Sequence, residues 1–188
     1  SEVLTDLTWE EPQSPKEIIE DELIKKHKMD KFYVLYSGGQ DSGCVDDFIA
    51  KNYPENYGGR VFTCTGIGSP MTRQFALDYS KELDRKITLT WARKRFYDIV
   101  MEKGFPGPGS HKIIMGYLKF HSWYWFLKPQ LKRGEKVCFI SGVRKKESMV
   151  RDKVKFYTKK PVDVNATMTF CKPFLYKNGT QLQEYFVK

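Results

Sequence analysis

The sequence predicts an α/β protein: a three-layer, doubly wound, mainly parallel sheet with helices on both faces. Three observations carry this. Short, β-rich apolar runs alternate with stretches of helical periodicity. Two of those runs, KFYVLY (31–36) and KVCFISG (136–142), are closed by glycine. No internal repeat or low-complexity segment interrupts the alternation. Strands separated by helices need crossover connections, which make neighbouring strands parallel and put helices on both faces.

Residues 1–30 read as an N-terminal arm and a leading helix, and 31–188 as a single α/β domain. The leading helix, 15–28, has Ser14 as N-cap, Pro15 at the first helical position and Glu17 to complete a capping box. After the strand at 31–36 comes a helix, 42–52, with Val45, Phe48 and Ile49 on one side. GRVFTCT (59–65) is a second strand and PMTRQFALDYSKEL (70–83) a helix. KITLTW (86–91) is a third strand, followed by the short helix RFYDIVMEKG, ended by Gly104. FPGPGS (105–110) is a rigid, projecting loop. A long aromatic helix covers 111–128, and 136–142 is a fourth strand. The last part offers a strand near 165–171 and a final helix from about Thr180.

Charge is uneven along the chain. Residues 1–30 hold four basic and nine acidic side chains, and 31–188 hold 28 basic and 14 acidic ones. The stretch 112–160 is densest, with 14 basic and three acidic. Such a body expects a polyanion: nucleotide phosphates, sulfate or nucleic acid. No run approaches the roughly 18 apolar residues of a membrane span. The acidic N-terminus does not read as a secretory signal, so the expected setting is cytoplasmic, with no membrane partner. Cys44, Cys64, Cys138 and Cys171 lie far apart. Without paired ligands they predict buried structural thiols, with no zinc site and no iron–sulfur cluster.

In a doubly wound sheet, ligands bind beyond the C-terminal ends of the strands. That rule selects Ser37–Ser42, Thr65–Thr72 and Gly142–Arg151. The first, SGGQDS, passes straight from strand to helix. Such a turn leaves the first helical N–H groups unpaired and convergent, at the positive end of the helix dipole. Gly38 and Gly39 allow close backbone approach, and Ser37 and Ser42 carry hydroxyls, so the segment reads as a phosphate or sulfate cradle. Its spacing is neither that of the Walker A loop nor that of the Rossmann fingerprint.

Ser-Gly-Gly-x-Asp-Ser after a first strand resembles the PP-loop of the ATP pyrophosphatase superfamily, and within it the phosphoadenosine phosphosulfate (PAPS) reductase family. TGIGSPMTRQF (65–75) is similar to that family's second-strand segment, with Gly66 and with Thr72 opening the next helix. SGVRKKESMVR (141–151) resembles its Gly-x-Arg-x-x-Glu-Ser-x-x-Arg signature at Gly142, Arg144, Glu147, Ser148 and Arg151. The likeness covers roughly residues 30–188. It implies an adenine nucleotide alpha hydrolase-like fold that binds ATP or PAPS/APS and acts at the phosphate or sulfate end.

The resemblance also implies roles. Arg144 and Arg151 can grip phosphate or sulfate oxygens through paired hydrogen bonds. Glu147 could orient one guanidinium or accept from a ribose hydroxyl, and backbone near Gly66 could read an adenine edge. Asp41 has two readings, helix-capping acid or ligand to magnesium held with the substrate phosphates. Gln40 stands where lysine is common, which removes one positive charge from the loop. His111, Lys112 and Lys119 are the candidate cations after the proline–glycine loop. The chain ends at Lys188 without the C-terminal redox cysteine of the reductases, so the expectation is nucleotide binding without complete reductase chemistry. One alternative is a nucleic-acid (tRNA or DNA) thiolation enzyme that adenylates with ATP. It would use the 112–160 basic surface and a partner that donates sulfur or electrons. Another is a non-catalytic nucleotide-binding module. FHSWYWFLK (120–128) reads as a helix packed on the sheet or as a subunit interface, the latter implying a homodimer, rather than as a base-stacking platform.

Overall fold

The computed structural model describes residues 13–107, 114, 116–145, 155–163 and 166–187. Six strands form one sheet: β1 (Lys31–Leu35), β2 (Tyr57–Cys64), β3 (Ile87–Trp91), β4 (Val137–Ile140), β5 (Tyr157–Asp163) and β6 (Ala166–Cys171). Their order is β3-β2-β1-β4-β6-β5. Every neighbouring pair is parallel except β5 and β6. The chain winds outward from β1 to β3, then returns to place β4 on the other side of β1. That reversal leaves a crevice beyond the ends of β1 and β4, where such sheets take ligands.

The helices lie on both faces. The leading helix α1 starts at Pro15–Glu17 and continues, π-wound, through Ile18–Lys26. Its capping box forms as the sequence predicts: Ser14 Oγ accepts from the Glu17 N–H and the Glu17 carboxylate from the Ser14 N–H. Next come α2 (Gln40–Asn52), α3 (Pro70–Glu82) and α4 (Phe96–Lys103). Helix α5 has a π-wound opening, Gly116–Phe120, that runs into His121–Lys132. Helix α6 is Gly179–Val187. Among the described residues no helix is long and apolar enough to cross a membrane.

Strand alternation divides the core. Phe32 and Val34 of β1 and Cys138 and Ile140 of β4 pack with Ile18, Ile19 and Leu23 of α1 and Val45, Phe48 and Ile49 of α2. On the other face, Val137 and Phe139 pack with Trp123 and Leu127 of α5. Truncating a side chain as closely packed as Leu127 to alanine costs about 2–5 kcal/mol. Beyond the cores, a buried polar knot ties α2 and α3 to β2. Asp46 accepts from Arg60 Nε at 2.8 Å, Arg60 Nη2 at 2.6 Å and Tyr57 Oη at 2.6 Å. Arg60 Nη1 donates to Ser80 Oγ at 2.8 Å, and its guanidinium lies 4.4 Å from the Tyr36 ring centre.

Three elements differ from the sequence reading. Strand β5, YTKKPVD, was not expected. It is an antiparallel edge strand, and its lysines and Pro161 are the features that protect edges and blur strand patterns. Helix α5 continues to Lys132, past the expected end at Lys128, with Pro129 inside it. Helix α2 starts at Gln40 rather than at Ser42, so part of the SGGQDS turn is already helical.

Candidate functional site

A cleft of about 920 Å³ opens beyond the C-terminal ends of β1, β2 and β4. Of the predicted residues, Ser37, Asp41, Ser42, Gly66, Thr72, Lys119 and Gly142 line it together. Gly38, Gly39, Gln40 and Arg144 lie outside the lining, with Gln40 exposed. Glu147, Ser148, Arg151, His111 and Lys112 lie outside the described residues.

The 37–42 loop is held by its own serines. Ser42 Oγ donates to the Gly39 carbonyl at 2.9 Å and accepts from the Ser37 N–H at 3.2 Å. Because Ser42 has already placed its only proton, Ser37 supplies the one in the 3.1 Å contact between the two hydroxyls. Both hydroxyls therefore brace the turn. Gly38 has φ +81, a left-handed conformation that favours glycine, and a Cβ there would lie 3.2 Å from Thr72 Cγ2. Gly39 caps α2 with extended backbone and no side-chain hydrogen bond. The first-turn N–H groups of α2 thus meet the crevice without a side-chain cap, the local geometry that accepts an anion.

Asp41 does not cap α2, whose N-cap is Gly39. It binds Arg144, which reaches back from the loop after β4. Arg144 Nε and Nη2 both donate to Asp41 Oδ2, at 3.0 and 2.7 Å. The sequence offered Glu147, three residues from Arg144, either to orient a guanidinium or to accept from a ribose hydroxyl, and Glu147 lies outside the described residues. Asp41 is 103 positions from Arg144, and only the β1–β4 pairing brings the two together. Gly142 makes that approach close: a Cβ there would sit 3.2 Å from the Asp41 carbonyl carbon and oxygen.

The second loop holds its turn with Gly66 at φ +80. Ser69, rather than Thr72, caps α3, its Oγ accepting from the Met71 N–H at 3.2 Å. Thr72 sits in the first turn and faces Gly38.

The cleft floor was not legible in the sequence. Trp91, Leu118, Trp123 and Arg73 line it. Trp123 is buried, and its indole N–H donates to Thr63 Oγ1 at 2.8 Å. Lys119, at the wall, has no hydrogen bond or ion pair for its ammonium among the described residues, and burial holds its pKa below the usual lysine value.

All four cysteines are free and buried, as expected. Burial raises each thiol, Cys138 well above its ordinary value and Cys171 to about 12. Cys64 alone borders the cleft; burial raises it too, with Arg73 pulling the other way. Among the described residues no three histidine, cysteine, aspartate or glutamate side chains gather as a metal site.

No protein-family model and no curated protein matches the sequence. Solved structures match the fold. The PAPS reductase of Candida auris, in a phosphate complex, superposes with a TM-score of 0.58 at 13% identity, over 93% of this chain and 79% of that one. The FMN adenylyltransferase of Candida glabrata, with FMN and the ATP analogue AMPCPP, gives 0.57 at 13% identity, over 93% and 53%. Yeast FAD synthetase with FAD gives 0.52 at 14%, over 92% and 55%. The chain spans about half the length of those two enzymes. The mostly parallel sheet with helices on both faces is the arrangement shared by all three.

Proposed function

We propose that this chain is a PP-loop protein that binds ATP in the cleft and transfers its adenylyl group to an acceptor. The observation that carries the reading is the convergence on one cleft of Asp41 and Ser42 at the uncapped α2 start, Lys119 and the turn at Gly66, with Arg144 bound to Asp41 behind them. Phosphates fit the cationic end, and the base fits the apolar floor beside Gly66. The buried, raised thiols argue against a reduction that starts from a cysteine of this chain.

In the reaction, an acceptor oxygen, nitrogen or sulfur attacks the α-phosphorus. The bond to the bridging oxygen breaks, pyrophosphate leaves with that electron pair, and the acceptor proton passes to water. Charge builds on the phosphate oxygens, and fixed donors there lower the barrier most. The α2 N–H groups, Arg144 and Lys119 are those donors. Asp41 fixes one edge of Arg144 before the substrate arrives. A lone carboxylate in a phosphate site also suits magnesium brought in with the nucleotide, and Asp41 would hold it, to neutralise the leaving pyrophosphate.

A second reading has the same cleft taking PAPS or APS. The better coverage of the Candida auris reductase favours it, and the reducing thiol would then come from another protein. Calorimetry with ATP, PAPS and APS separates the two, followed by assay of pyrophosphate release. We expect ATP to bind and Arg144→Ala to weaken it by about 10- to 100-fold. Tight ATP binding with no pyrophosphate released under any acceptor would leave a non-catalytic module. No heat with any adenine nucleotide would sink the reading.

A further inference from the structure

We propose that the outer face of α5, with the β3–α4 connection beside it, is a docking surface for single-stranded nucleic acid. Tyr117, His121 and Trp125 recur every four residues and so share one face of the helix. The Tyr117 and His121 ring centres are 5.9 Å apart. Trp125 is 47% exposed, although Trp123 and Leu127 on the same helix are buried.

Cations sit on these rings. Lys128 Nζ lies 4.3 Å from the Trp125 ring centre and the Arg93 guanidinium 5.8 Å from it. Lys103 Nζ lies 5.6 Å from Tyr117. The charged groups themselves lie over or beside the rings, so ring and cation form one surface. Nearby acids neutralise other groups: Glu102 pairs with Lys94 and Asp98 with Arg95. Arg93, Lys103 and Lys128 have no acidic partner among the described residues. A hollow of about 210 Å³ lies between Arg93, Lys94, Tyr117 and His121.

Alternating rings and unpaired cations fit bases and phosphates, the two faces of a nucleic-acid strand. The spacing selects a single strand. Four helical residues rise about 6 Å, whereas stacked bases in a duplex strand are about 3.4 Å apart. Only an extended, unstacked strand meets successive rings. The surface also leads to the cleft: Trp91 lines it two residues before Arg93, and Leu118 and Lys119 line it from α5 itself. The strand is thereby presented to the cleft as the acceptor. That last step rests on the adenylyl-transfer reading; the docking itself does not.

The test is fluorescence anisotropy with labelled 20-nucleotide single strands, DNA and RNA, and the matching duplexes, across a salt series. The full chain should bind single strands more tightly than duplex. Its log–log salt slope should be about −2, from three cations at about −0.7 each. The pair Arg93→Glu and Lys128→Glu should weaken binding by about tenfold or more and bring the slope near −0.7. Lys103→Glu, on a different helix, should weaken it independently, and Trp125→Ala should lower single-strand binding alone. ATP calorimetry on each variant should match the parent. Absent binding, a slope unmoved by the variants, equal affinity for duplex, or the same Arg93 and Lys128 dependence on phosphatidylserine vesicles would overturn the proposal. Strand binding without ATP binding would instead remove only the acceptor role.

Discussion

Helix α2 carries three aspartates, Asp41, Asp46 and Asp47, and each meets an arginine from another element; Asp41 and Asp46 make the sharpest contrast. Asp46 and Arg60 are 0% and 1% exposed, and the hydroxyls of Tyr57 and Ser80 complete their hydrogen bonds. Asp41 and Arg144 have side chains 33% and 17% exposed, at the cleft. The chemistry is the same and the setting is opposite. A fully buried pair with every arm satisfied can only hold elements together. A pair at the mouth of an uncapped helix can exchange one partner for an incoming anion or cation. Environment, rather than residue type, separates scaffold from site.

The sharpest way to break this contrast is at Asp46. Asp46→Ala leaves the Arg60 charge buried without its partner, which costs about 3–5 kcal/mol. Urea melts should show that loss directly. The double change Asp46→Leu with Arg60→Met should recover much of it, since an apolar pair of similar volume removes the unpaired charge. A loss under about 1 kcal/mol in the single variant would show that the knot is not structural. Arg144→Ala should behave oppositely. Its stability cost should stay under about 1 kcal/mol, as for partly exposed pairs. Its effect on ATP affinity should be about 10- to 100-fold, the loss of a charged hydrogen bond. A large drop in melting temperature with unchanged ATP heat would make Arg144 a scaffold residue too.

The two settings also differ in how far they could be read from sequence. Alternation predicted β1 to β4 and the helices between, because each of those strands is a short run rich in apolar and β-branched residues bounded by turn residues. β5 escaped because an edge strand meets solvent, and in YTKKPVD two adjacent lysines and a proline interrupt any apolar period. The loop at 37–42 was legible because glycine and serine in a strand–helix turn have a local physical reason. The Asp41–Arg144 pair was not, since its partners meet only through the sheet order. The apolar floor was also hidden: the aromatic run on α5 points in several directions, and only packing decides that Trp123 reaches the cleft while Trp125 faces out.

A smaller effect separates the glycines of the site. Gly142→Ala puts a methyl 3.2 Å from the Asp41 carbonyl, where backbone on both sides resists movement. It should cost about 1–3 kcal/mol, as overpacking does, and weaken ATP binding by shifting the α2 start. Gly66→Ala meets nothing within 4 Å, so only its φ of +80 opposes the change, at about 1–2 kcal/mol. Calorimetry should find ATP affinity reduced more by Gly142→Ala than by Gly66→Ala. The reverse order would place the adenine edge, rather than the phosphate end, in control of binding.

The finest probe is the protonation of Lys119. Burial holds its pKa below 10.5 in the unliganded protein, and a bound anion favours the charged form and raises it again. Between those two values the complex holds more protons than the free protein. ATP affinity should therefore fall as pH rises through the free-state pKa, by at most about tenfold per unit. Stability moves the other way. The unfolded chain has the higher lysine pKa and binds more protons in its window, so stability rises with pH across it. Lys119→Arg stays charged throughout, so it should flatten the alkaline fall in affinity measured by calorimetry. Affinity that falls equally in parent and Lys119→Arg would remove Lys119 from the phosphate site and leave Arg144 and the α2 N–H groups to hold the anion.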